Sequence, residues 1–133
     1  MEAKHYILLV EDDAFQRSLL NHELTERGYF VVATGNGLEA LKLLNSISMD
    51  AVITDIFMPD MDGLELIQKL RQHDTSLPIF AMSGGVKGLY NSENYLKIAK
   101  AFGANEVLAK PVEMAEIIAK LVQYCPCNAE IFV

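Results

Sequence analysis

Acidic residues follow two short apolar runs of this sequence, at the points where buried strands would end. Glu11 and Asp12 come directly after the run Tyr6–Val10, and Asp55 ends the run Ala51–Asp55. In an open α/β sheet the ligand crevice lies outside the carboxyl ends of the strands. A carboxylate at that edge can act as a nucleophile or bind a metal ion. The two runs therefore predict one acidic site.

A hydroxyl and an amine follow two further apolar runs and complete the candidate site. Ser83 ends the run Ile79–Ser83, and Lys110 comes directly after Glu106–Ala109. Packed carboxylates raise one another's pKa unless a cation lies among them, and Mg²⁺ is a hard cation that takes oxygen ligands. A metal-bound Asp55 could attack a phosphoryl group in line and form an aspartyl phosphate, while Ser83 and Lys110 bind the phosphoryl oxygens.

Strand patterns alternate with amphipathic helical patterns along the whole chain. The strand patterns are Tyr6–Val10, Phe30–Thr34, Ala51–Asp55, Ile79–Ser83 and Glu106–Ala109. Strict alternation predicts parallel strands joined by right-handed crossovers, with helices on both faces of the sheet. Five strands are too few to close an eight-stranded barrel, so we expect an α/β fold with an open, doubly wound sheet and five helices.

The helical patterns repeat apolar residues at the spacing of one helix face. In the first of them Phe15, Leu19, Leu20 and Leu24 share a face, which we expect to pack on the sheet. The last pattern ends near Tyr124. We therefore expect one domain over residues 1–125 and a short C-terminal tail over residues 126–133.

The composition favours a globular domain that makes no direct contact with nucleic acid. Of the 133 residues 51% are hydrophobic and 22% charged, and the formal net charge is −7. No basic patch is present to bind a phosphate backbone. No apolar run is long enough to span a bilayer, and the N-terminus lacks the pattern of a signal peptide. These features predict a cytoplasmic protein without a membrane partner.

The cysteines lie beyond the last helical pattern. Cys125 and Cys127 flank Pro126, and a CxC pair with no further ligands is a weak metal or redox motif. We expect two reduced thiols in a surface tail.

The motifs of the candidate site, taken in order, resemble those of the response-regulator receiver (CheY-like) domains of two-component signalling. The matching residues are the pair Glu11-Asp12, then Asp55 with Met58-Pro59 and Asp62-Gly63, then Ser83-Gly84, then Lys110-Pro111. The resemblance covers essentially the whole chain. It implies the strand order 2-1-3-4-5 and a cis bond between Lys110 and Pro111.

The resemblance also implies roles for the site residues. Asp55 would accept phosphate from a sensor histidine kinase or a histidine phosphotransfer protein. Mg²⁺ would lie among Glu11, Asp12, Asp55 and Phe57, with Asp12 a direct ligand, Phe57 contributing its backbone carbonyl and Glu11 further out. The chain would be a stand-alone signalling switch, a monomer or a phosphorylation-dependent dimer, that acts on a downstream protein effector.

The effector surface implied by the resemblance comprises the fourth helix, the fifth strand and the fifth helix. Tyr90, Leu96 and Val107 are its candidate residues. Receivers that switch by an aromatic rotation usually carry an aromatic residue at the position of Val107. The stretch Gly84–Asn91 is longer than usual and holds three glycines, which predicts a loop beside the site. Phe57 stands where a polar residue could position a hydrolytic water, so we expect slow loss of phosphate.

Two other functions fit parts of the pattern. An aspartate-nucleophile phosphatase of the haloacid-dehalogenase type also places an aspartate after a strand and uses Mg²⁺. Such enzymes generally carry a second aspartate where this chain has Phe57, and they usually need a cap domain. An interaction module that keeps the fold without the chemistry would not need Ser83 or Lys110. The sequence favours a signalling phosphoacceptor over both.

Overall fold

The computed structural model describes residues 5–58, 61, 63–83 and 92–125. Its strands are β1 (Tyr6–Val10), β2 (Phe30–Thr34), β3 (Ala51–Asp55), β4 (Ile79–Ser83) and β5 (Glu106–Ala109). Its helices are α1 (Ala14–Glu26), α2 (Gly37–Ser46), α3 (Gly63–His73), α4 (Ser92–Phe102) and α5 (Met114–Tyr124). The predicted strand bounds are confirmed, as is the end of the last helix.

The strands form one parallel sheet in the order β2-β1-β3-β4-β5. This order confirms the predicted doubly wound α/β fold. Asp55 pairs with Met82 on β4, and Ser83 pairs with Ala109 on β5. Because every strand runs in the same direction, the residues that end or follow β1, β3, β4 and β5 meet at one edge of the sheet.

Helices cover both faces of the sheet, which is why its strands are continuous apolar runs rather than alternating ones. Successive strand residues point to opposite faces, so the core divides into two layers. The layer under α2, α3 and α4 includes Val52, Ile79, Leu66, Ile67 and Leu70. The layer under α1 and α5 includes Ile53, Phe80, Leu24, Ile117 and Leu121.

Helix α1 packs on the sheet over less of its length than its apolar spacing predicts. Leu24 is fully buried, but Leu19 is 46% exposed and Phe15 is 76% exposed. Leu19 and Leu20 line a groove of about 190 Å³ that Pro111 also lines. The prediction that this face packs on the sheet is therefore wrong for Phe15 and Leu19. Helical spacing identifies the apolar side of a helix, but it does not say how far the sheet extends beneath it.

Cys125 is buried, so its predicted place in a surface tail is wrong. Its backbone amide still bonds to the carbonyl of Leu121, and its side chain packs in the layer under α1 and α5. The thiol Sγ donates to the backbone carbonyl of Asp50 at 3.7 Å. Cys127 lies outside the described residues.

Several predicted features also fall outside the described residues. They are the stretch Gly84–Asn91 with Tyr90, the side chain of Leu96 and the tail over residues 126–133. Val107 is half-buried and packs against the layer under α2, α3 and α4. Within the described part of the chain, no helix is both long enough and apolar enough to cross a bilayer.

Candidate functional site

Asp55 lies at the carboxyl end of the central strand and is 6% exposed. The next residue, Ile56, donates its amide to Met82 on β4 at 2.9 Å and accepts the amide of Gly63 at 2.6 Å. A Cβ at Gly63 would overlap the backbone carbonyl oxygen of Asp55. Because Gly63 has no side chain, α3 can begin directly against the backbone that carries the Asp55 carboxylate.

Glu11 and Asp12 occupy the turn after β1, next to Asp55. Glu11 is fully buried, whereas Asp12 is exposed. The three residues each offer a carboxylate oxygen, and these oxygens lie within 4.8 Å of one another. The next residue, Asp13, caps α1 by accepting the amide of Gln16 at 2.9 Å. The structure thus brings together the acids predicted to meet.

Lys110 supplies a cation inside this acid cluster. Its Nζ donates to Glu11 Oε1 at 2.6 Å and to Asp55 Oδ2 at 3.0 Å. Burial disfavours the charge on the amine, but the bonds to Glu11 and Asp55 outweigh burial and raise the pKa of Lys110 above its ordinary value. The bond between Lys110 and Pro111 is cis, as the resemblance implied.

The carboxylates of Glu11 and Asp12 are less favourable as anions than in water despite this amine. Burial is the largest cause that raises the pKa of Glu11, and Asp55 adds to the rise while Lys110 opposes it. The pKa of Asp12 is also raised, first by the partial desolvation of its otherwise exposed side chain and then by Glu11. A divalent cation with oxygen ligands would relieve this repulsion. The donor set therefore fits Mg²⁺.

Ser83 places a buried hydroxyl at the same edge of the sheet. The residue is 1% exposed, and its Oγ has no hydrogen-bond partner among the described residues. A buried polar group left in this state costs roughly 1–3 kcal/mol. Since native structures contain few such groups, this hydroxyl is well suited to bind an oxygen of a ligand.

The remaining predicted residue, Phe57, follows β3. Its half-buried side chain packs against the layer under α2, α3 and α4. This packing of the side chain fixes the backbone segment that carries the Phe57 carbonyl.

Sequence reasoning missed one residue that shapes the site, Arg17, and named Gly63 only as part of a motif without its structural role. Arg17 on α1 donates from Nη1 to the backbone carbonyl of Glu11 at 2.8 Å, and Gly63 allows the close approach of α3 to Asp55. The sequence shows an arginine shortly after the acid pair and a glycine at the start of α3. Neither pattern identifies the partner, because the partner is a backbone oxygen.

Comparison with known proteins identifies the family. The response regulator receiver domain model matches residues 7–122, so the chain belongs to the response regulator receiver family. The chain is 36% identical over 121 residues to an uncharacterized 14.6 kDa protein in the sodA1 3′ region of Leptolyngbya boryana, with 90% of this chain and 88% of that protein covered.

Two further relatives extend the comparison. The chain is 36% identical over 121 residues to the Regulator of RpoS of Escherichia coli K12, with 90% of this chain covered but only 34% of that protein. It spans about a third of that relative's length. The chain is also similar to the solved structure of response regulator TrrA from Thermotoga maritima in complex with Mg²⁺-BeF. The two are 31% identical in sequence with a TM-score of 0.79, and the match covers 90% of this chain and 98% of the TrrA chain.

Family membership makes the chain a receiver domain of two-component signalling. Receiver domains are signalling phosphoacceptors rather than enzymes, and they bind Mg²⁺ at an acidic pocket. The match favours this function over a phosphatase of the haloacid-dehalogenase type.

Proposed function

We propose that Asp55 accepts a phosphoryl group from a phosphohistidine of a sensor histidine kinase or histidine phosphotransfer protein, and that the product has altered affinity for a protein effector. The observation that carries this proposal is the 3.0 Å contact between Lys110 Nζ and Asp55 Oδ2 within the acid cluster. A fixed cation beside the accepting oxygen stabilises the charge that develops on a transferring phosphoryl group.

The proposed transfer exchanges one bond to phosphorus for another. A carboxylate oxygen of Asp55 attacks the phosphorus in line, the N–P bond of the phosphohistidine breaks, and its electron pair stays on the imidazole, which takes a proton from solvent. Ser83 donates a hydrogen bond to one phosphoryl oxygen, and Lys110 binds another by charge. The buried Oγ without a described partner supports the role of Ser83.

We propose that Asp12, Asp55 and the backbone carbonyl of Phe57 hold Mg²⁺, with Glu11 beside them. When bound, the ion neutralises charge on the carboxylates and on the phosphoryl oxygens. The close spacing of the carboxylate oxygens supports this assignment. The burial of Glu11 and its ion pair with Lys110 support a role in holding the amine in place rather than in direct metal binding.

Incubation with acetyl phosphate and Mg²⁺, followed by intact-mass measurement, tests the proposal. We expect one phosphoryl adduct on the wild type, none on Asp55→Asn, and a large loss of adduct when EDTA removes the metal. Asp50→Asn is the matched control, since Asp50 precedes the strand that Asp55 ends, and we expect it to keep the adduct. An adduct on Asp55→Asn, or none on the wild type, would contradict the proposal.

The lifetime of the phosphate is a separate proposal that rests on Phe57. An apolar side chain there cannot orient a water for attack on the phosphoryl group, so we expect slow hydrolysis. Asn at this position could hold such a water by hydrogen bonding, and Phe57→Asn should therefore shorten the lifetime. An unchanged rate of phosphate loss after removal of excess acetyl phosphate would refute this role.

The exposed apolar part of α1 supports a contact with the phosphodonor protein. The donor must bring its phosphohistidine to Asp55, so it covers the rim of the site. Leu19 lines the groove that also includes Lys110, and Phe15 lies one helical turn earlier. We expect Leu19→Ser to slow transfer from a phosphorylated histidine phosphotransfer protein while labelling by acetyl phosphate stays unchanged. Equal slowing with both donors would contradict the contact.

We further propose that residues 1–125 act as the receiver unit, with residues 126–133 as a tail, in a cytoplasmic protein. The effector surface is proposed on α4, β5 and α5, where Ile98 is 39% exposed and Phe102 is 40% exposed. Size-exclusion chromatography with and without beryllofluoride distinguishes a constant monomer from a phosphorylation-dependent dimer.

A further inference from the structure

Arg17 connects helix α1 to the turn that carries the acid pair. Its side chain reaches back along the helix, and Nη1 donates to the backbone carbonyl of Glu11 at 2.8 Å and to that of Asp12 at 3.4 Å. The guanidinium is therefore bonded to the backbone of both residues whose carboxylates enter the cluster. The ion pairs of that cluster are made by Lys110.

Gly35 provides the space in which this guanidinium lies. A Cβ at Gly35 would come within 2.8 Å of Arg17 Nη1 and within 3.8 Å of the Glu11 carbonyl oxygen. Gly35 follows β2, whose last residue Thr34 accepts the amide of Glu11 at 3.0 Å. The side chain of Arg17 thus lies between the turn after β1 and the turn after β2.

We infer that Arg17 is a positioning residue for Mg²⁺ binding. Its guanidinium occupies the space left by Gly35 and fixes the turn of Glu11 and Asp12 through their backbone carbonyls. The inference rests on the proposed function of the same site. A guanidinium with several donors in a rigid plane is suited to hold adjacent carbonyl oxygens. Groups that orient metal ligands typically change metal affinity by roughly 10–100-fold when removed.

Two effects of Arg17 on Mg²⁺ binding have opposite signs. Its positive charge repels a divalent cation, so charge alone predicts tighter binding when Arg17 is removed. Its hydrogen bonds hold the turn, so positioning predicts weaker binding. The hydrogen bonds go to the carbonyl oxygens, and solvent and salt screen the charge of a half-exposed side chain. We expect positioning to dominate.

Isothermal titration with Mg²⁺, without any phosphodonor, tests this inference. We expect Arg17→Ala to weaken binding about tenfold, and Arg17→Lys to fall between it and the wild type because an ammonium keeps the charge and the donors but lacks the rigid planar geometry of the guanidinium. Arg27→Ala is the matched control, since it removes the same charge from the exposed residue that caps the C-terminal end of α1, and it should bind Mg²⁺ like the wild type.

Gly35→Ala provides a second perturbation that leaves Arg17 in the sequence. The added methyl group displaces the guanidinium, so we expect weaker Mg²⁺ binding in the wild-type background and no further change in the Arg17→Ala background. Urea unfolding in EDTA checks that each variant is folded. Should Arg17→Ala fail to fold, Arg17→Lys and Gly35→Ala decide the matter.

The outcomes separate this inference from the proposed function. Failure of the wild type to bind Mg²⁺ would overturn the proposed function. Wild-type binding with unchanged or tighter binding by Arg17→Ala would overturn only the positioning role. Additive losses in the double variant would also overturn it, because Gly35 would then act independently of Arg17.

Discussion

Asp50 and Asp55 flank the same strand, and their surroundings differ in kind. Asp50 precedes β3 at the amino end of the sheet, where its Oδ2 accepts the amide of Tyr6 at 2.7 Å and lies 3.7 Å from His5 Nδ1. Asp55 ends β3 at the carboxyl end, where it meets Glu11 and the amine of Lys110. The carboxylate of Asp50 links the starts of β1 and β3, whereas the carboxylate of Asp55 lies close to a second acid, Glu11.

Glu106 and Glu11 repeat this contrast. Glu106 begins β5, and its carboxylate accepts the hydroxyl of Tyr124 at 2.7 Å and lies 3.0 Å from Lys120 Nζ. The hydrogen bond from Tyr124 is the largest cause that lowers the pKa of Glu106. The pKa of Glu11 is raised, chiefly by burial. Tyr124 and Lys120 stabilise the Glu106 anion at the amino end, whereas burial disfavours the Glu11 anion at the carboxyl end.

Removal of the central amine should give the largest effect. Lys110→Met leaves the buried carboxylates of Glu11 and Asp55 without their cation, and breaking a buried ion pair in this way costs about 3–5 kcal/mol. Urea unfolding in EDTA measures the loss, and added Mg²⁺ should restore part of it. Lys120→Met, at the more exposed pair with Glu106, should cost at most about 1 kcal/mol. Equal losses of unfolding free energy in Lys110→Met and Lys120→Met would contradict the contrast between the carboxyl and amino ends of the sheet.

The two aspartates of β3 should show opposite effects. Asp50→Ala removes the acceptor of the Tyr6 amide and should lower the free energy of unfolding by roughly 1–3 kcal/mol, while labelling by acetyl phosphate persists. Asp55→Asn should abolish labelling without lowering stability in EDTA, because it removes a charge that repels Glu11. A comparable loss of stability in both variants would contradict this prediction.

Lowering the pH should remove the contribution of Glu106 to folding stability. Because the folded-state pKa of Glu106 lies below its ordinary value of 4.5, its contribution to stability is present above that value and is lost as the pH falls through the lowered pKa. The wild type should therefore exceed Glu106→Gln in stability at pH 7 and approach it in acid. The effect of pH on stability through Glu11 has the opposite sign, since the raised pKa of Glu11 favours folding at low pH. Urea unfolding across the acid range measures the difference.

The smallest effect is expected at Tyr124. Tyr124→Phe removes the hydrogen bond to Glu106 but keeps the ring, whose centroid lies 5.3 Å from that of Phe80. We expect a loss of about 1 kcal/mol and unchanged labelling of Asp55. A larger loss would indicate that the amino end depends on this hydroxyl more than the contacts suggest.

The sequence was sufficient to predict the sheet and the acids that meet at its carboxyl edge, for one physical reason. Strands buried on both faces are continuous apolar runs, so their ends are visible, and parallel strands bring those ends to one edge. Asp55 and Lys110 could therefore be expected near each other. Phe15 was misjudged because helical spacing is the same for a core face and for an exposed apolar face. Arg17 was missed because its contacts depend on the distance between two turns.

The ion pair between Lys110 and Glu11 joins residues 99 positions apart. During synthesis the first strand leaves the ribosome long before the amine that completes the site. A nascent chain that stops before β5 contains Asp55 but lacks the cation that holds its carboxylate. The ion pairs of Lys110 with Glu11 and Asp55 therefore form only after β5 has been synthesised.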